Sequence, residues 1–210
     1  MFDAGILTFQ EFMVREPLPL ATLQAAVLEF LQGRDDVVLF GAQAVNAYVN
    51  ESRMTQDIDL LSTGAEGLAE ELRTYLGERF HIAVRTRRVA DGKGYRLFQV
   101  QKTGDRHLVD LRSVDILPSC QRIAEILVLA PQDLIAYKVI AYHRRRGQPK
   151  AGSDWRDIAM LLLTFPEFKQ NPDQVTTRLQ ALDDDPAIVA LWQDLARQEV
   201  QLPDEADEAW

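Results

Sequence analysis

Two aspartates one residue apart, Asp57 and Asp59, are the residues of this chain best placed to do chemistry. In Thr55-Gln56-Asp57-Ile58-Asp59-Leu60-Leu61 the side chains of a strand alternate, so both carboxylates share one face while Ile58 and Leu60 can enter a core. Adjacent carboxylates repel each other, and this spacing makes most sense with a divalent cation between them. A site built of oxygen ligands alone suits Mg2+ or Mn2+. A third aspartate lies in His107-Leu108-Val109-Asp110-Leu111-Arg112, where Asp110 shares a strand face with Leu108 and Arg112. If that strand pairs beside the first, Asp110 completes a three-carboxylate cluster. Asp115 is its competitor, but before Ile116-Leu117-Pro118 it reads as a strand end or turn.

The elements that would position these acids are legible in order. Phe9, Phe12 and Met13 stand at helical spacing, and Leu20 to Leu31 reads as an amphipathic helix closed by Gly33. An apolar strand, Val37 to Phe40, ends at Gly41 and gives way to an alanine-rich helix, then to a polar loop, Asn50 to Met54. After the aspartate pair, Ala65 to Leu76 reads as a helix closed by Gly77. His81 to Arg87 and Tyr95 to Lys102 read as strands joined by a hairpin turn, Asp91-Gly92-Lys93-Gly94. From Ser119 onward the chain reads mostly helical. Pro131-Gln132-Asp133 starts a helix over Leu134 to Arg146, and Gly147 to Gly152 breaks it. Ser153 reads as the N-cap of a helix over Asp154 to Leu163. Two further helices run from Pro172 to Leu182 and from Pro186 to Glu199, and the acidic tail from Pro203 to Trp210 reads as frayed. The expected architecture is α+β, a mixed sheet over residues 1–118 followed by a helical domain over residues 119–210 that closes a cleft.

Composition bounds the function. An apolar share of 47% in 210 residues is ordinary for a globular chain with a real core. One cysteine, Cys120, and three histidines exclude a disulfide framework and a cysteine-rich zinc site. No apolar run approaches the roughly 20 residues of a membrane span, and no charged-then-apolar leader is visible, so a cytoplasmic protein is expected. A net charge of −9 argues against broad non-specific nucleic-acid binding, though not against a nucleotide or RNA end held locally. Basic residues gather at Arg85, Arg87 and Arg88 and at Arg144 to Arg146, acidic ones at Asp183 to Asp185 and Asp204 to Glu208.

Strand, glycine turn, helix and Asp-x-Asp strand together resemble the signature of the nucleotidyltransferase superfamily. The run Arg53-Met54-Thr55-Gln56-Asp57-Ile58-Asp59 is similar to that of its toxin-type, AbiEii-like branch. The resemblance covers roughly residues 35 to 165. It implies an aspartate at Asp110, a lysine in the helix of Asp133 to Lys138, and a basic-then-acidic segment that matches Lys150, Asp154 and Asp157. One departure stands out: the second turn position is Ala42, where glycine or serine is usual, so no hydroxyl is offered to a phosphate. Lys138 lies on or near an apolar stripe with Leu134, Ile135, Ala141 and Tyr142. A lysine there ordinarily snorkels to solvent, unless it reaches a cleft and meets a phosphate. Asp154 and Asp157, as first-turn acids, could equally serve the helix dipole alone.

The resemblance therefore implies metal-dependent transfer of a nucleoside monophosphate from a nucleoside triphosphate (NTP) to an RNA, protein or small-molecule acceptor. Asp57, Asp59 and Asp110 would be catalytic and hold Mg2+ or Mn2+. Gly41, Ala42, Arg53, Thr55, Lys138, Lys150 and Asp154 would bind the nucleotide, the turn through backbone N–H groups at a helix N-terminus. Proteins of this branch are toxins held in check by an antitoxin, so an antitoxin partner is expected. Two alternatives stay open: a catalytically silent nucleotide-binding or regulatory module, which Ala42 favours, and an antibiotic-type enzyme whose acidic pocket draws a polycationic acceptor.

Overall fold

The computed structural model describes residues 18–89 and 92–200. The expectations for Phe9, Phe12 and Met13, for Asp91 and for the tail from Pro203 lie outside the described residues. Among the described residues seven strands form one mixed sheet, β1 (Val37–Phe40), β2 (Ile58–Ser62), β3 (Val84–Val89), β4 (Gly94–Gln99), β5 (Arg106–Ser113), β6 (Cys120–Ile123) and β7 (Ile126–Leu129), in the order β3-β4-β5-β2-β1-β7-β6. β2 runs parallel to β5, and β1 runs parallel to β7, while the remaining neighbours are antiparallel. Among the described residues the helices are α1 (Leu20–Leu31), α2 (Gly41–Tyr48), α3 (Ala65–Phe80), α4 (Pro131–Arg144), α5 (Pro149–Thr164), α6 (Glu167–Gln170), α7 (Asp173–Leu182) and α8 (Pro186–Arg197).

Sequence dictates where the sheet is dry. Val37 to Phe40 are all buried, as befits the strand between β2 and β7. In β4, Tyr95, Leu97 and Gln99 are buried against α3, whereas Arg96 is exposed and Phe98 half-buried on the opposite face. Leu72, Leu76, Leu97 and Leu111 are each fully buried here, worth about 1.5–3 kcal/mol apiece. α2 packs on β1, β2 and β7 and also touches α4 and α5, and its Tyr48 hydroxyl donates to the Leu129 carbonyl at 2.9 Å. Helix α4 is tied to α7 by Arg178, whose Nε donates to Asp133 at 2.6 Å.

Four elements differ from the sequence reading. Residues 120–129, expected to open a helical stretch, form the β6–β7 hairpin, turned through Ala124 and Glu125 at positive φ. Alternation over so few residues is too short to register as a strand. Helix α3 does not stop at Gly77 but continues to Phe80, since one glycine inside a helix costs only about 1 kcal/mol, and His81 ends it in the left-handed region at φ 52°. α5 starts at Pro149, four residues before Ser153, since proline suits the first helical position. Lys150 therefore lies in the first turn of a helix rather than in a loop. Finally, β2 begins at Ile58, which leaves Asp57 at the mouth of the strand and Asp59 within it.

Candidate functional site

The turn after β1 is built around one glycine. Gly41 has φ 70°, and a Cβ placed there would lie 1.9 Å from the Asp59 Oδ2 and 2.8 Å from the Asp59 Cβ. Only glycine serves here, since any side chain would collide with Asp59 and strain the backbone. The antiparallel register sets Phe40 opposite Asp59, so β1 ends where the carboxylate begins and α2 starts beside it. The free N–H groups at the start of α2, from Gly41 and Ala42 onward, belong to this corner.

Parallel pairing of β2 with β5 makes Asp59 and Asp110 direct cross-strand neighbours. Burial and the nearby Asp57 and Asp110 push the Asp59 carboxyl up to about 6, against the opposing pull of Arg112 and Lys138. Asp57 has a different environment: its Oδ2 lies 3.2 Å from His107 Nδ1, and that hydrogen bond holds its carboxyl below the usual range. The same contact raises the His107 imidazole. Asp110 Oδ2 accepts from Arg96 Nε at 3.2 Å. The donor set, three carboxylates on one end of two strands, fits an oxygen-loving divalent cation. Among the described residues no three acidic, histidine or cysteine side chains already converge as a chelating group. His107 and Arg96 each hold one of the carboxylates, Asp57 and Asp110.

His107 reaches Asp57 because of a β-bulge. The β4–β5 register pairs Leu97 with Val109 but Phe98 with His107, which leaves Leu108 as the extra residue. Leu108 goes into the core instead of sharing the face of Asp110 as expected, and His107 takes its place. His107 and Arg96 are site residues that the sequence reading does not single out. The alternation of Tyr95-Arg96-Leu97-Phe98, dry residue against wet, was the available signal for Arg96. No local signal marks the bulge.

The loop before β2 is pinned by two amides. Asn46 on α2 accepts from the Arg53 N–H at 3.0 Å and donates to the Arg53 carbonyl at 2.8 Å. Gln24 on α1 donates to the Thr55 carbonyl at 3.0 Å and to its hydroxyl at 3.3 Å, and Thr55 is buried. So held, the Arg53 guanidinium meets Asp157 on α5 in a two-pronged pair, Nε and Nη2 both at 2.8 Å. Lys138 of α4 also reaches Asp157, at 2.7 Å, and Asp154 at 3.6 Å, while Arg145 binds Asp154 at 2.8 Å. Lys138 is buried, not snorkelling, and Asp157 is 0% exposed. Burial raises the Asp157 carboxyl, but hydrogen bonds and charge from Arg53 and Lys138 outweigh it and leave it lowered. Asp157 carries the network, and in the sequence it stood out only as one acid of the basic-then-acidic segment that the resemblance implies.

All ten candidate residues, Gly41, Ala42, Arg53, Thr55, Asp57, Asp59, Asp110, Lys138, Lys150 and Asp154, line a single cavity of about 1020 Å³. Arg112 lines it too, with its guanidinium 4.9 Å from the Phe40 ring centroid. Asp157 lies behind the wall.

Comparison with known proteins gives the family and the fold. The family model described as nucleotidyl transferase AbiEii toxin, type IV toxin–antitoxin system, matches residues 23–208. No curated protein matches the chain. Among solved structures, a Megavirus polyadenylate synthase is similar at TM-score 0.58 and 14% identity, over 75% of this chain and 34% of that one. The chain thus spans about a third of that enzyme. A putative nucleotidyltransferase from H. pylori gives TM-score 0.53 and 14% identity over 91% of this chain and 95% of its own. The antibiotic-resistance factor ANT(2'')-Ia gives 0.50 and 15% over 83% and 95%. At such identities the likeness shows the α+β fold, whereas the family match covers most of the chain. The chain is a nucleotidyltransferase of the AbiEii toxin family.

Proposed function

We propose that this enzyme transfers a nucleoside monophosphate from an NTP to an acceptor hydroxyl, in a metal-dependent reaction at the cavity over β2 and β5. The acceptor oxygen forms a bond to the α-phosphorus, the bond from that phosphorus to the bridging oxygen breaks, and pyrophosphate leaves. The hydroxyl proton passes to Asp110 and then to solvent. Asp57, Asp59 and Asp110 would hold Mg2+ or Mn2+. When bound, such a cation offsets the charge of the triphosphate and of the departing pyrophosphate. The N–H groups at Gly41 and Ala42, and the Lys150 ammonium in the first turn of α5, would receive phosphate oxygens. Arg53, Thr55, Lys138 and Asp154 would fix the wall against which the nucleotide lies. The observation that supports this reading best is the cross-strand pair Asp59–Asp110 beside a turn that tolerates only glycine.

The family also motivates a toxin role with an antitoxin partner acting in the cytoplasm. Among the described residues no helix is long and apolar enough to cross a membrane. A rival reading, nucleotide binding without turnover, draws on Arg53 and Lys138, whose charges already meet Asp157. Transfer of labelled nucleotide from each of the four ribonucleoside triphosphates, with Mg2+ or Mn2+, decides between them. Total RNA, the protein itself and an aminoglycoside are the acceptors offered. Transfer that disappears in Asp57→Ala/Asp59→Ala supports the enzyme and names the acceptor class. Metal-dependent NTP binding without transfer supports the silent module, and absence of both sinks the reading of the site.

A further inference from the structure

The sheet face that carries the acids does not end at Asp110. Cross-strand partners point to the same side, and the register runs Asp59 on β2 to Asp110 on β5, Asp110 to Arg96 on β4, and Arg96 to Arg87 on β3. The next row runs from His107 to Phe98 to Arg85. Two acids thus continue outward into three arginines arrayed around an aromatic. Phe98 stacks on His107 with ring centroids 5.0 Å apart, and the Arg87 and Arg85 guanidinium carbons lie 5.3 and 6.0 Å from its centroid. α3 covers the opposite side of β3 and β4, and Arg85, Arg87 and Arg96 are all exposed.

Folding alone does not account for this arrangement. Like charges directly opposite on neighbouring strands are unfavourable, and Arg87 faces Arg96. Arg96 has Asp110 and Arg85 has Asp105 as partners, but Arg87 has no carboxylate at ion-pair distance among the described residues. Guanidinium groups interleaved with a flat π surface match the needs of an unpaired nucleic-acid strand, phosphates for the charges and bases for the planes. A polycationic small molecule would meet repulsion here.

We propose that the open face of β3 and β4 is the acceptor subsite, and that it takes a single-stranded polynucleotide whose terminal hydroxyl reaches Asp110. The assignment rests on the nucleotidyl-transfer reading above and supplies its acceptor class. The charge is local, which reconciles it with a net charge of −9.

The test is anisotropy of a fluorescent single-stranded oligoribonucleotide, with an oligodeoxyribonucleotide and a poly-glutamate competitor as further arms, across a range of salt. Arg85→Ala/Arg87→Ala is expected to weaken oligonucleotide binding at least about tenfold and to reduce the log–log salt slope by about 1.4. Phe98→Leu is expected to weaken it by about fivefold or more with the slope unchanged. Arg73→Ala/Arg79→Ala, which removes equal charge from α3, is the control and leaves binding within about twofold. Equal binding and slope in the β3 variant overturn the proposal, as does poly-glutamate displacing the oligonucleotide at equal charge concentration, which would assign the face to an acidic protein. Metal-dependent NTP binding by the wild-type chain is measured separately. Its absence would defeat the transfer reading itself, whereas its presence beside arginine-independent oligonucleotide binding would defeat only the acceptor subsite.

Discussion

Two charged clusters face each other across the cavity, and they are opposites in kind. On the α4–α5 side, Asp157 and Asp154 are buried, and Arg53, Lys138 and Arg145 meet their oxygens at 2.7 to 3.6 Å. That network is satisfied from within. On the sheet side, Asp57 and Asp110 each hold one replaceable partner, His107 and Arg96, while at Asp59 burial and two like charges outweigh the pull of Arg112 and Lys138. The first cluster is arranged to stay as it is. The second is held in an unfavourable state that a cation would relieve. Position and reactivity are thus separated: α4 and α5 are clamped to the loop before β2, so that the carboxylates they overlook keep their place.

Several changes would break that contrast or sharpen it. Asp59→Asn removes the unfavourable carboxylate, and transfer is expected to fall by on the order of 10²–10³ or more while the thermal midpoint does not drop. A parallel fall in stability would mean that Asp59 is structural. Asp157→Ala is expected to do the reverse first. It strands Arg53 and Lys138, and chemical denaturation should report a loss of about 3–5 kcal/mol. A loss under 1 kcal/mol would show the network to be dispensable. Gly41→Ala forces a positive φ on alanine and a collision with Asp59, and should lower stability by about 1–3 kcal/mol together with metal binding.

A pH experiment gives a smaller but signed effect. Because the folded-state value of Asp59 is raised to about 6, the native chain keeps a proton there that the unfolded chain has lost. This group's contribution to stability is therefore fully present below the ordinary carboxylate range and is lost as pH rises through about 6. Mg2+ should accordingly raise the melting temperature more at pH 7.5 than at pH 5. Equal shifts at both pH values would show that the cation does not act through Asp59.

Much of this was legible in the sequence, and the exceptions have physical causes. Val37 to Phe40, Gly41 and Asp57 to Leu61 announce strand, turn and acid pair because apolar runs and glycine act locally. Asp110 needed a pairing between strands some 50 residues apart: the resemblance implied an aspartate there, the sequence left the pairing open, and β2–β5 supplies it. His107 could not be found that way, since a one-residue bulge decides its face. The fate of Lys138 was also hidden. Helical spacing places it on an apolar stripe, but only the docking of α5 brings Asp157 to 2.7 Å and sets the ammonium in a buried ion pair. The β6–β7 hairpin is short and borrows its stability from β1, so its own residues do not declare it.

The most direct test of the contrast is Mn2+ binding at pH 7.5, followed by electron paramagnetic resonance in the presence of a non-hydrolysable NTP analogue. Wild-type protein and Asp59→Asn would be compared at equal thermal stability. Saturable binding in the wild type that is lost in Asp59→Asn is the predicted result. Mn2+ binding of unchanged affinity in Asp59→Asn would contradict it.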